Sequence, residues 1–157
     1  MRMSQAACGT FAAAALAVLL WGLTGCASTP QATAARDSEA KQFASSPAAA
    51  TVYVYRTDTA QEDSVLWVDG RLVGATLPRT YFRIALDPGL HVISGMAADN
   101  GHMAFETRPG QVYFVAHTVS GGQSLFKLMS AENGQKVITN CCALMENWAP
   151  GQRPLLR

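Results

Sequence analysis

Charge is scarce in this chain. Asp, Glu, Lys and Arg make up 15% of its 157 residues, too few for a coiled coil, whose flanking positions are charged heptad after heptad. An excess of either sign is missing too, since 12 basic and 11 acidic residues leave a net charge of +1. Nucleic-acid binding draws on a basic excess or a basic stripe, so no nucleic-acid partner is expected. There is no Gly-x-Ser-x-Gly elbow and no Walker or Rossmann glycine pattern, which removes the commonest serine-hydrolase and nucleotide-binding readings. No repeat of 20–50 residues appears, so solenoids and propellers are out. What the chain does have is hydrophobicity, 49% of its residues. That excludes disorder and leaves room for one domain plus a tail.

Phe11 to Trp21 is an unbroken apolar run. As a helix it spans about 16 Å, well short of the roughly 20 residues a bilayer core requires. It reads as the hydrophobic core of a secretion signal over residues 1–25, with Arg2 as the positive end. Leu23-Thr24-Gly25-Cys26 follows directly. This tetrapeptide resembles the bacterial lipobox. The resemblance implies that the Cys26 thiol receives a diacylglyceryl group and that the chain is cut just before it. The alternative is an ordinary secretory signal with Cys26 incidental. Ala27, rather than Asp, follows the cysteine, which by the same resemblance implies the outer membrane. Removing residues 1–25 takes away Arg2 and leaves 11 basic and 11 acidic residues. Membrane affinity would then come from acyl chains rather than from headgroup charge.

Residues 26–50 change character. Ala27 to Ala50 contains nine alanines, two prolines and one large apolar residue, Phe43. We expect a flexible tether with a reach of about 25–30 Å. The alternative is a short helix from about Ala32 to Ala44, since alanine favours helix.

From Thr51 to Ala149 the pattern is that of a folded domain, with 150–157 as a tail. Thr51 to Arg56 is β-branched and aromatic. Ser64 to Val68, Asp69-Gly70 and Arg71 to Gly74 form a hairpin signal with a type I′ turn. A two-residue loop pairs Val68 with Arg71, Trp67 with Leu72 and Leu66 with Val73, and is expected to put Trp67 and Leu72 on the core face. Thr80 to Leu86 alternates, with Phe82, Ile84 and Leu86 on one side. Asp87-Pro88-Gly89 turns the chain into Leu90–Ser94. Further strands are expected at Met103–Thr107, Gln111–Thr118 and Ser124–Met129. Val137, Cys141, Leu144, Met145 and Trp148 recur at helical spacing, which predicts a helix over about 135–148, preceded by Asn133-Gly134. The sum is an all-β antiparallel sandwich closed by a C-terminal helix.

Val-Tyr-Val-Tyr-Arg (52–56), Val-Asp-Gly-Arg-Leu-Val-Gly (68–74), Thr-Tyr-Phe (80–82), Pro-Gly-Leu-His (88–91) and Pro-Gly-Gln-Val-Tyr-Phe-Val (109–115) resemble the bacterial domain of unknown function 2846. They are also similar to the PEGA and carboxypeptidase-regulatory-like domains. The resemblance covers about Thr51 to Cys142 and implies a transthyretin-like or Ig-like sandwich with no catalytic activity. The matching residues are turn and core residues, so they carry fold rather than chemistry.

Chemistry-bearing residues are few. His91, His102 and His117 lie 11 and 15 apart, without the close spacing of a zinc pair, so no metal or cofactor is expected. Cys141 and Cys142 are adjacent. They read as packing residues, Cys141 in the core and Cys142 half-exposed. The alternatives are an intermolecular disulfide or a redox- or metal-reactive pair. Asp58, Glu62 and Asp63 read as a solvated loop. Tyr53 and Tyr55 share one face of their strand, and Val52 and Val54 the other. If the valines are core, the tyrosines form a binding surface; the reverse assignment puts the tyrosines in the core and the valines under the helix. Function is therefore expected to be that of a non-enzymatic envelope lipoprotein. It would be held to the outer membrane by its lipid anchor and bind an envelope protein or a peptidoglycan or glycan surface. The alternatives are an assembly component of a secretion or efflux complex, pairing through a sheet edge, and a redox or metal-linked envelope protein using Cys141 and Cys142.

Overall fold

The computed structural model describes residues 29–59, 64–96 and 101–146. The signal segment, the lipobox with Cys26, Glu62, Asp63, Trp148 and the 150–157 tail lie outside the described residues. Within them the domain is β-rich, as expected. Nine strands form two sheets: β1 (Ala50–Arg56), β2 (Ser64–Val68), β3 (Arg71–Thr76), β4 (Thr80–Leu86), β5 (Gly89–Met96), β6 (His102–Thr107), β7 (Val112–Ser120), β8 (Gln123–Met129) and β9 (Ala143–Leu144). Two helices, α1 (Ala34–Ala40) and α2 (Ala131–Cys141), complete it.

The first sheet runs β8-β7-β1-β4-β9 and the second β3-β2-β5-β6. The second is antiparallel throughout. The first is mixed, because β1 lies parallel to β7 and β4 parallel to β9. Five of the seven strand pairings are antiparallel, so the expected β-sandwich holds with two parallel pairings added. Neither parallel pairing is made through a hairpin: β7 enters from β6 of the second sheet, and β9 follows helix α2.

Between the sheets lies one core, with Val52, Val54, Leu66, Val68, Phe82, Ile84 and Ile93 at its centre. A second core lies on the far side of the first sheet, where Tyr53, Tyr55, Tyr81 and Phe114 meet Ala32, Ala40, Ile138 and Leu144. Strand β1 is therefore buried along its entire length on both faces. Its run of Val and Tyr suits that position.

The Asp69-Gly70 hairpin forms with both turn residues at positive φ, 50° and 72°, as a type I′ turn requires. Val68 pairs with Arg71 and Trp67 with Leu72, but Leu66 pairs with Gly74. Val73 is the extra residue of a bulge. Trp67 and Leu72 point away from the core and are half-buried, while Leu66, Val68 and Val73 fill it. The expected core face was the wrong one, because aromatic bulk does not decide which side of a period-two strand faces in.

The expected tether is largely structured. Thr33 caps α1, its side chain accepting from the Arg36 N–H, and the helix packs against the first sheet. Ala32 N–H donates to the Leu144 carbonyl at 2.9 Å, and Tyr53 Oη donates to the Ala40 carbonyl at 2.7 Å. Asp37 is the pin. One carboxylate oxygen accepts from Tyr81 Oη at 3.0 Å and from the Leu144 N–H at 2.9 Å, and the other from Lys41 at 2.7 Å. Burial on its own would raise the Asp37 carboxyl. The hydrogen bonds from Lys41, Leu144 and Tyr81 together outweigh it and hold the group below the usual carboxylate range. The short-helix alternative for this stretch is the one the structure adopts, over a narrower span. Its stability comes from tertiary contacts, since seven residues of helix are marginal alone.

The C-terminal helix also sits differently from its expected span. It starts at Ala131, capped by Ser130, and ends at Cys141. Asn133-Gly134 falls inside the helix. A Cβ on Gly134 would stand 2.3 Å from Phe114 Cγ, so the glycine is there for close packing rather than for a turn. Leu144, in β9, and Met145, just after it, are core residues rather than part of a helix face.

Two stability outcomes follow. At an exposed helical glycine, Ala is stabilising by about 1 kcal/mol. Gly134→Ala reverses that sign, lowering the urea midpoint by the equivalent of about 1–3 kcal/mol through overpacking against Phe114. Asp37→Ala strands the buried Tyr81 hydroxyl and the Leu144 N–H, and costs about 2 kcal/mol or more in the same measurement.

Candidate functional site

The two tyrosines proposed as a surface are not one. Tyr53 is 0% and Tyr55 3% exposed, because α1 and α2 cover the face they share. Tyr53 stacks on Phe114 with ring centroids 5.3 Å apart. The valine–tyrosine ambiguity resolves in neither of its two forms: both faces of β1 are core.

The histidines are dispersed. His91 bridges two turns, with Nδ1 2.6 Å from Asp69 Oδ2 and Nε2 2.7 Å from the Asp87 carbonyl. Burial would lower its pKa, but the Asp69 hydrogen bond and the Asp87 carbonyl outweigh it and raise the imidazole above its ordinary value. His102 is exposed on β6. His117 is 1% exposed, stacked on Phe126 at 4.5 Å. Its Nε2 lies 3.3 Å from Ser124 Oγ. Among the described residues its Nδ1 has no hydrogen-bond partner. Burial, then the nearby Arg56 guanidinium, push the His117 pKa down to about 4. Among the described residues no group of three His, Cys, Asp or Glu gathers to hold a metal.

Around His117 lies a buried polar cluster that sequence reasoning missed. Arg56 is 1% exposed. Its Nε donates to both Asp58 oxygens, at 2.8 and 3.0 Å, and its Nη1 to the Thr76 carbonyl at 3.0 Å. Asp58 also accepts the Val119 N–H at 3.2 Å, and Ser64 meets Ser124 at 3.0 Å. Arg56 ends a strand of buried residues, and an arginine there signals a desolvated carboxylate partner. Asp58, two residues on, was the available candidate. The cluster ties the β1 end to β3 and β7.

The cysteines invert their expected burial. Cys142 is buried and Cys141 half-buried. The two are joined as a disulfide between neighbours in sequence, in place of two free packing thiols. The helix ends between them, so Cys142 is extended rather than helical, and the side chains no longer diverge as they would on a helix.

A shallow recess of about 170 Å³ is lined by Ser46, Ala49, Thr51, Arg83 and Asp87. That is below the several hundred Å³ of a typical small-molecule site. The outer face of the second sheet is partly apolar. Leu90 is 74% and Val92 39% exposed, both on the outer face of the second sheet beside half-buried Trp67 and Leu72. No helix of the described residues is long and apolar enough to cross a membrane.

No family model matches the chain. A protein of Haemophilus influenzae named as uncharacterized is 28% identical over 140 residues, which is 82% of each chain. This similarity extends over most of the folded domain and carries no activity with it.

Buried neutral His117 makes stability depend on pH. Its folded pKa, about 4, lies below the ordinary 6.5, so the unfolded chain takes up the proton first. The contribution is complete above about pH 6.5 and is lost as pH falls towards 4, by up to about 3 kcal/mol. Urea midpoints measured across that window should fall with acidity, and His117→Gln should flatten the slope.

Proposed function

We propose that this protein is a lipid-anchored component of the bacterial cell envelope. In this reading Cys26 carries the acyl chains and the sandwich is a non-enzymatic interaction module at the outer membrane. One observation carries it: Leu23-Thr24-Gly25-Cys26 sits directly behind an eleven-residue apolar run and directly ahead of a folded β domain. A secreted domain needs no such tetrapeptide there. A lipoprotein does, and two or more acyl chains hold a neutral protein where charge cannot.

Apart from exposed His102, the described side chains best suited to catalysis are otherwise engaged, which supports a binding role. His91 has both ring nitrogens occupied, His117 and Arg56 are enclosed, and Cys141 and Cys142 are bonded to each other. One feature favours the assembly reading as a second possibility. Among the described residues strand β8 is an edge of the first sheet, with Leu125 57% exposed on it, and an edge strand can accept a partner strand.

The anchor is tested by Cys26→Ala in a lipoprotein-processing bacterium. The parent chain should start at Cys26, carry acyl mass and enter the detergent phase on extraction. The variant should lose the acyl mass and move to the aqueous phase. An unchanged mass and partition would contradict the anchor.

A further inference from the structure

The sandwich is covered on one side and bare on the other. Helices α1 and α2 shield the outer face of the first sheet. Among the described residues, no helix lies on the outer face of the second. There Trp67 and Leu72 pair across β2 and β3. Trp67 also pairs with Ser94 of β5, which puts Val92, two residues earlier, on its diagonal. Val92 pairs with exposed Ala104, and Leu90 continues the stripe along β5. Glu106, opposite Leu90, and His102, opposite Ser94, form a polar margin on β6. Leu90 and Val92 are the exposed part of this band, while Trp67 is half-buried with its indole Nε1 out of solvent; an exposed aliphatic strip with a polar margin suits a surface that rests in a headgroup layer.

The position of the chain selects the occupant. Thr29 is locked to the β3 edge of this same sheet: its Oγ1 accepts the Ala75 N–H at 2.7 Å, and its side chain fills the space beside Gly74 and Phe82. Cys26 precedes Thr29 by three residues, which span at most about 11 Å. With residues 29–50 packed onto the domain, acyl chains on Cys26 cannot hold it at a distance. Four strands measure about 14 Å across, so the leash is comparable to the width of the face. Such a short link keeps the local concentration of membrane at millimolar or above, and a weak surface is then occupied. The balanced mature charge, 11 against 11, leaves apolar contact as the means of attachment.

We propose that the outer face of the β3-β2-β5-β6 sheet docks on the lipid surface, so that the domain lies against the membrane with its helices turned away. This rests on the reading of Cys26 as the lipid anchor. The test uses the full chain, processed in a lipoprotein-processing bacterium, carrying Trp148→Phe, and reconstituted into phosphatidylethanolamine/phosphatidylglycerol vesicles containing a phosphatidylcholine brominated near the top of its acyl chains. Removal of residues 1–25 leaves Trp67 as the emitter. A second variant adds Leu90→Trp and Trp67→Phe, placing the reporter at the most exposed point of the band. Docking predicts that emission falls by about a third or more relative to unbrominated vesicles, and that Val92→Glu reverses most of this loss in both reporters. Acylated, vesicle-bound protein in which neither reporter is quenched would overturn the docking and leave the anchor standing. The same holds if a second copy or a partner protein shields the face. Chains without acyl mass would overturn the anchor, and the docking with it.

Discussion

Strand β1 is buried on both faces, and the rest of the architecture answers to that. A strand of alternating Val and Tyr between two neighbours cannot leave either row in water. Val52 and Val54 face the second sheet, which closes the sandwich. Tyr53 and Tyr55 face the other way and need a cover of their own. Their hydroxyls and rings bring a polar requirement that an aliphatic row would not. Tyr53 meets it at the Ala40 carbonyl, and its neighbour Tyr81 at Asp37. The alanine-rich segment before β1 is thereby drawn down onto the sheet, and α2 follows on the same side through Ile138 and Gly134.

That cover fixes how the domain relates to whatever holds its N-terminus. A free segment of residues 27–50 would let the domain sample a wide shell above a membrane. A packed one brings Thr29 to the β3 edge, and an anchor at Cys26, as proposed, would then be only three residues away. At the end of the sandwich Arg56 is paired with Asp58, and Ser124 meets both Ser64 and His117 Nε2, so buried polar groups join strands of both sheets.

Much of the fold is legible in the sequence because turn chemistry is local. Asp69-Gly70 forces positive φ at two positions and Asp87-Pro88-Gly89 ends a strand, so β2 to β5 can be placed without knowledge of the rest. The alternation of Phe82, Ile84 and Leu86 identifies the inner face of β4 correctly. What depends on distant contacts is not legible. A single extra residue, Val73, shifts the hairpin register, and nothing in the sequence marks it. Gly134 carries the same letter pattern as a turn, and only the ring of Phe114 shows that it belongs inside a helix. Alanine-rich 27–50 lacks bulk, but small residues are what a close helix-on-sheet contact requires. The candidate site was least legible of all. Tyr53 and Tyr55 have the composition of a binding surface and the location of a core. The exposed band on the second sheet, by contrast, is made of residues such as Leu90 and Val92 that read as ordinary strand interior.

Two-sided burial of β1 and the short leash stand together on the state of residues 29–50. Amide hydrogen exchange of the full chain reads that state directly. The Ala32, Lys41 and Phe43 amides donate to the carbonyls of Leu144, Asp37 and Ala40. They should exchange on the order of a hundredfold or more slower than an unstructured chain, in company with the first sheet. Exchange of this segment at unstructured rates while β1 stays protected would contradict the account, because the tyrosine face would then have no cover from α1 and the anchor would be long.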